Sequence, residues 1–311
     1  MFSMAGVFVV GVVIGATAAE PAKLAFQPAE EGYYQFDTGL LRGKLRADGK
    51  SQGICSLVHV PSGIEIAKTP GLLSYYRVFS TNKRFGQAAR DWPVQAKLLP
   101  DGALELSFPT AEEHPLRLRG VFRWAAADTL DLETSVTSEV AMPRFEVFLS
   151  NYVGKGFDGL VYLKPNRVNK KDLPGLVQAD WTPLVDGNYL MFPRDLAATQ
   201  IIYDGRWEYP PSPVQWAVSR YLAGPLGLRR DGASGLSVML MAPADDCFAV
   251  AMPYNKTPPD NIANHGSVYL SLFGRDVAAG EVVKVHCRLI GRTDLTDAAA
   301  IGLYQQYLGG R

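Results

Sequence analysis

Few side chains in this sequence are suited to moving a proton near neutral pH, and His265 is the foremost. It lies in the polar run Asp260-Asn-Ile-Ala-Asn-His-Gly266, the composition of a loop at the rim of a cleft. An imidazole there titrates close to physiological pH and can serve as a general acid or base. Tyr152 is the second candidate, although a phenol titrates at about 10 and needs a cation beside it to react at neutral pH. The nearest carboxylates are Glu139 and Glu146. An odd separation puts Glu146 and Asn151 on opposite faces of a regular strand. The other histidines read more plainly. His59 sits in the apolar run 57–60, His114 in an acidic loop before Pro115, and His286 within an alternating strand. No His-x-His or His-x-x-Glu spacing suggests zinc, and neither a metal nor a cofactor is expected.

Rings and cations form the other suggestive set. Sugars stack their apolar C–H faces on aromatic rings, and carboxylates accept paired hydrogen bonds from sugar diols. Asp91-Trp92 and Asp180-Trp181 join the two features, and Arg206-Trp-Glu-Tyr209 with Trp216 forms a third group. Core packing is the plainer account of any single Trp. Arg77, Arg84 and Arg90 cluster around Asn82. In a sugar cleft such a cluster suits an anionic glycan, bound through charge-assisted hydrogen bonds; the alternative is a solvated strand face.

These residues are positioned by strands nearly throughout. Strand candidates are 53–60, 72–79, 103–108, 116–124, 130–136, 145–151, 200–203, 215–218, 236–241, 248–252, 268–273 and 282–290. Period-two alternation at 116–124 and 130–136 predicts antiparallel sheets with one apolar face. Asp-Gly pairs at 48, 101, 186, 204 and 231 mark turns. Helix signal is confined to 293–308, where Thr293 or Asp294 is placed to cap and Leu295, Ala299, Leu303 and Tyr307 recur at helical spacing. The polar stretch 164–181 reads as a long loop. The fold expected is all-β: a large antiparallel sandwich with a short C-terminal helix.

Lys and Arg total 31, as do Asp and Glu, so the net charge is zero. That balance argues against nucleic acid and against a polybasic membrane surface as partners. The charge-free run from Ala5 to Ala16 is shorter than the roughly 20 residues that span a bilayer. Ala16-Thr17-Ala18 follows it and Glu20-Pro21 ends it. Residues 1–19 therefore read as a signal peptide and 20–311 as one domain, secreted or periplasmic, with no membrane association after cleavage. An uncleaved anchor and a buried first strand are the competing readings. Cys55, Cys247 and Cys287 allow one disulfide, for which Cys247 and Cys287 are the favoured pair; three buried thiols are the alternative.

Several segments, in order, resemble the galactose mutarotase-like (aldose 1-epimerase) superfamily, over roughly residues 33–290. Thr81-Asn-Lys-Arg-Phe-Gly86 is similar to the family's early sugar-touching Asn/Arg loop. Met142-Pro-Arg-Phe-Glu-Val-Phe-Leu-Ser-Asn-Tyr-Val153 resembles the stretch that ends in the catalytic His. Cys247-Phe-Ala-Val-Ala-Met-Pro-Tyr254 resembles the late strand that carries a Glu base, and Val268 to Glu281 the closing turn and last strand. The resemblance implies a divergent member with a β-supersandwich whose concave sheet holds carbohydrate. It also puts Tyr152 at the His position and Met252, which transfers no proton, at the Glu position; a shifted register would bring in Glu146 or Glu139. A secreted carbohydrate-binding protein without the usual His/Glu epimerase chemistry is expected. The alternatives are a carbohydrate-active enzyme with a shifted site, epimerase-like or lyase-like, and a structural surface β-sandwich. Asn82, Arg84, Trp92, Asn151, Tyr152, Tyr254 and His265 are the expected sugar contacts, with His265 and Tyr152 the candidates for any catalysis. Sugar identity and oligomeric state stay open.

Overall fold

The computed structural model describes Met1 and residues 24–310, apart from 82, 155, 166–172, 181–188, 219, 257–260 and 262–263. The signal-peptide expectation, Asn82 and Trp181 thus lie outside the described residues. Strands dominate, as the alternation predicts, and are arranged in sheets of nine, seven and five. In the seven-stranded site sheet the spatial order is Trp216–Ala217, Tyr189–Pro193, Cys247–Met252, Gly266–Val277, Met142–Val153, Ser74–Ser80 and Lys83–Arg84. All its pairings are antiparallel except Tyr189–Pro193 with Trp216–Ala217. The nine-stranded large sheet packs across it, and the five-stranded amino-terminal sheet closes one side.

One apolar cluster lies between the sheets. Val78, Val147, Leu149, Val250, Leu270 and Leu272 from the site sheet meet Leu106, Leu118, Leu132, Val238, Leu240 and Val285 from the large sheet. The amino-terminal sheet joins this core through Phe36, whose ring lies 4.8 Å from Trp124 and 5.5 Å from Phe26. Because side chains alternate, the residues between the core positions of Met142–Val153 all point to the other face: Glu146, Phe148, Ser150 and Tyr152.

Two helices complete the described residues. Residues 200–203, expected as strand, instead form the end of helix α1 (Leu196–Ile202) and its C-cap, Tyr203. The Asp195 carboxylate accepts from the Ala198 amide at 2.8 Å and caps that helix; Ala198, Ile201 and Ile202 then bury against the outer face of the site sheet. The C-terminal helix α2 (Asp297–Gly309) starts later than expected, with Thr296 as its cap. Its buried stripe is Ala300, Tyr304 and Tyr307; of the expected register Tyr307 and Leu295 are buried, Leu303 is partly buried and Ala299 is exposed. It lies on the strand Leu222–Asp231, which sequence reading passed over because Gly224, Pro225 and Gly227 look like turn residues. Gly224 is there for room: a Cβ would lie 2.5 Å from the Tyr304 ring. The 164–181 loop contains a further strand, Gly175–Gln178. All three cysteines are free thiols, so the Cys247–Cys287 pairing does not form; the two lie in different sheets.

Candidate functional site

The outer face of the site sheet carries a second apolar cluster, rich in rings. Alternation delivers Phe79 and Arg77 from one strand, Phe148, Ser150 and Tyr152 from the next, then Ser267 and Tyr269 from the strand Gly266–Val277. Phe148 is the centre of the floor. It stacks on Tyr269 at 4.7 Å and meets Trp207 edge-on at 4.7 Å. Trp207 in turn meets Trp216 at 4.9 Å and Phe79 at 4.8 Å. Helix α1 and the chain after it cover one end of this face. At the other end Tyr76, Tyr152, Tyr189 and His265 are only partly buried.

There the geometry is compact. The Tyr152 and His265 rings are 5.2 Å apart, His265 and Tyr189 5.8 Å, and Tyr189 and Trp216 5.7 Å. The Tyr269 hydroxyl donates to that of Tyr152 at 3.0 Å. His265 Nδ1 lies 2.9 Å from the Ser267 hydroxyl. Beside it Tyr152, Lys68, Thr69, Glu65, Phe157 and Asp231 line a cleft of about 610 Å³, a size that suits a small ligand.

The titration behaviour of these groups decides what chemistry is open to them. Burial, aided by the positive charge of Arg229, lowers His265 from 6.5 to about 4. Burial also raises Tyr152 above 10 and pushes Tyr189 to about 12. At neutral pH the imidazole is therefore uncharged and both phenols are protonated. The cleft's carboxyl groups, Glu65 and Asp231, are both engaged by neighbouring residues. Glu65 accepts from the Leu57 amide and the Ser56 hydroxyl. The Asp231 carboxyl is held below its usual range by the Ser234 hydroxyl and amide.

A stability prediction follows from His265. Its folded-state pKa is depressed, so between pH 6.5 and about 4 the unfolded chain binds a proton that the folded chain does not. Its contribution is present above pH 6.5 and is lost as pH falls towards 4, an effect on the order of 3–4 kcal/mol at about 1.4 kcal/mol per unit. Urea denaturation should show wild type losing more stability across this window than His265→Gln; parallel profiles would refute the assignment.

Arginines flank the rings. Arg77, 2% exposed, donates to the Ser212 carbonyl at 2.8 Å and to the Tyr76 hydroxyl at 3.2 Å. Arg90 reaches the Ser150 hydroxyl at 3.2 Å. Both guanidiniums lie over the Tyr76 ring, at 4.8 and 4.5 Å from its centroid. Arg84 faces the same way as Phe79, its strand partner, and binds the Pro211 and Gln87 carbonyls. At the covered end, Arg206 is fully buried between Glu146 (2.8 Å) and Asp204 (2.8 Å). Burial opposes its charge, but the two carboxylates more than compensate and keep it protonated.

Of the expected contacts, Tyr152, His265 and Arg84 share this outer face. Asn151, Trp92 and Tyr254 do not. Asn151 points inward, accepting from the Leu73 amide (2.7 Å) and donating to the Val268 carbonyl (3.2 Å); it is a clip between strands. Trp92 follows the short helical turn Ala89–Asp91 into the main core and stacks on His114 at 3.7 Å. That stacking buries His114, although the acidic loop around it, with Glu112 and Glu113, suggests solvent. Tyr254 belongs to the main core too. Met252 points between the sheets and not into the cleft, so a Glu at that position would not face the cleft either. Tyr76, Tyr189 and Ser150 were missed, and Arg77 and Arg90 were noticed only as a cluster. For Ser150 the available signal was the even register with Phe148, which marks one face of their strand; Tyr76, Tyr189, Arg77 and Arg90 lie on other elements.

Two other depressions, of about 390 and 470 Å³, lie on the outer face of the large sheet beside α2 and on the amino-terminal sheet. In the first, Arg288 is taken by Asp131, and Glu133 by Arg119 and Lys284.

No protein-family model matches the chain, and no curated protein matches it in sequence. Solved structures do resemble it. A galactose mutarotase related enzyme from Lactobacillus acidophilus is similar over 85% of this chain and 99% of its own, at 11% identity and a TM-score of 0.48. An aldose epimerase homologue from C. elegans is similar over 81% of this chain and 96% of its own, at 6% identity and a TM-score of 0.47. A heparan sulfate lyase from Pedobacter heparinus is similar over 88% of this chain and 37% of its own, at 8% identity and a TM-score of 0.48. The structural neighbours of the chain thus include galactose mutarotase-like aldose 1-epimerases, at low sequence identity.

Proposed function

We propose that this chain is a secreted carbohydrate-binding protein that does not use His/Glu epimerase chemistry, with acidic glycans as the finer ligand class. The observation that carries the reading is the partly open ring wall of Tyr76, Tyr152 and Tyr189 around His265. Rings that are half-buried and braced from behind present flat apolar faces at small entropic cost, which is what stacking on a pyranose requires. The hydroxyls and the uncharged imidazole supply orienting hydrogen bonds. Mutarotation needs an acid and a base with pKa values near the working pH, and the depressed His265 and raised Tyr152 move away from that range.

The test has two parts. Polarimetry with free glucose and galactose should show anomer interconversion at the buffer rate. A rate well above buffer that Tyr152→Phe abolishes would put the chain among the enzymes instead. On a glycan array, wild type should bind one class of glycan. Tyr152→Ala with Tyr189→Ala should weaken that binding about tenfold or more, the usual effect of truncating aromatic anchors. Binding unmoved by that pair would place the sugar elsewhere.

A further inference from the structure

We propose that Arg77 and Arg90, drawn together over the Tyr76 ring, form a subsite for an oxyanion carried by the ligand, bordered by the Tyr152 hydroxyl. The shared chemistry is a planar or tetrahedral group with several acceptor oxygens: a carboxylate or a sulfate ester. The identity of the carrier rests on the carbohydrate reading above; the subsite itself stands on the guanidiniums.

Elsewhere in this protein a buried guanidinium is fully used. Arg206 has two carboxylates and a carbonyl. Arg229 has the carbonyls of Phe157, Pro253 and Ser267 together with the Asn255 amide oxygen. Arg77 is as deeply buried, yet its Nε and Nη1 have no hydrogen-bond partner among the described residues, and neither does Nε of Arg90. No carboxylate among the described residues pairs with Arg77, Arg84 or Arg90.

Burying donors without acceptors is unfavourable, and crowding like charges adds to the cost. The crowding registers on the third arginine: burial first, and Arg77 second, push Arg84 down to about 10. Both Arg77 and Arg90 act electrostatically on the Tyr152 hydroxyl, and Arg77 also on that of Tyr189. The positive charge is therefore directed at the open, ring-lined end of the face. An oxyanion there would neutralise the cluster, and a shift of the enclosing side chains would bring it to the unpartnered Arg77 and Arg90 donors. Arginine suits this task because its planar fork offers paired hydrogen bonds to such a group.

Thermal melts of the full chain test the subsite without any sugar. Sodium sulfate and sodium acetate are compared with sodium chloride at matched ionic strength, for wild type, Arg90→Gln and Arg90→Lys. Sulfate or acetate should raise the wild-type melting temperature above the chloride value. Arg90→Gln should remove that excess and Arg90→Lys should keep part of it. Equal responses in wild type and Arg90→Gln overturn the subsite. Should Arg90→Gln fold poorly, Tyr76→Leu, which removes the ring but neither charge, should narrow the same excess; an excess it leaves intact counts against the arrangement.

A second arm titrates glucose, glucuronate and glucose 6-sulfate, which share a ring and differ in the group at one carbon. Glucuronate or glucose 6-sulfate should bind about tenfold tighter than glucose, with the advantage lost in Arg90→Gln; whichever does so names the anion. Acidic and neutral sugars binding equally would leave the carbohydrate reading standing and remove the subsite. A selective sulfate response with no sugar bound would do the reverse.

Discussion

Arg206→Ala should lower the unfolding free energy by about 3–5 kcal/mol, as breaking one side of a buried ion pair typically does. Arg206 is fully buried and donates to Glu146, Asp204 and the Arg144 carbonyl at 2.8–2.9 Å. Its removal leaves Glu146, also fully buried, with no cation beside it, and burial already raises that carboxyl above its usual range. The triad also ties the chain after α1 to the site sheet, since Asp204 and Arg206 follow the helix directly while Glu146 is in the strand Met142–Val153. Urea denaturation measures the loss. The triple variant Arg206→Met, Glu146→Leu and Asp204→Asn should recover much of it, because removing all three charges leaves no stranded carboxylate. A single-variant loss under about 1 kcal/mol, the range of exposed pairs, would mean that the triad is solvated.

Phe148→Ala should cost about 3–5 kcal/mol, the usual range for emptying a buried aromatic site, and, on the carbohydrate-binding function proposed above, should also weaken glycan binding. The ring is 1% exposed and so offers no surface to a ligand, though its centroid lies 6.5 Å from that of Tyr76 in the wall. It nevertheless stacks on Tyr269, whose hydroxyl holds that of Tyr152, and supports Trp207 and Trp216. Phe148→Leu keeps most of the volume and folds with a smaller loss, so it separates the two effects. Its glycan affinity should fall by a larger factor than its stability loss can explain, because Tyr269 loses the face that orients it. Unchanged affinity in Phe148→Leu would show that the wall is positioned by something other than this floor.

The strands were legible because period-two alternation follows from burying one side of a sheet. The run from Leu116 to Trp124 and the even register of Glu146, Phe148, Ser150 and Tyr152 need no tertiary information. The same alternation correctly set Glu146 and Asn151 on opposite faces. It could not say which face met the large sheet, and that choice decides everything about the site. It sends Asn151 and Met252 into the interior and leaves Tyr152 in the cleft.

Local composition misled where a distant partner overrode it. Trp92 looks like a loop platform beside Asp91, but His114 and the main core claim its ring. The segment 200–203 is β-rich in composition, but Asp195 caps a helix through it and the site sheet buries its apolar side. Arg77, Arg84 and Arg90 are near one another in sequence, so a cluster was foreseeable. That two of them meet over one ring, short of acceptors, depends on the bulge that turns Tyr76 out of register and on the turn Ala89–Asp91 folding back onto the strand. The sequence by itself determined the class of fold and the side chains available for binding. Only tertiary structure decided which of them share a face, because strand register and sheet packing join residues whose separation along the chain carries no record of it.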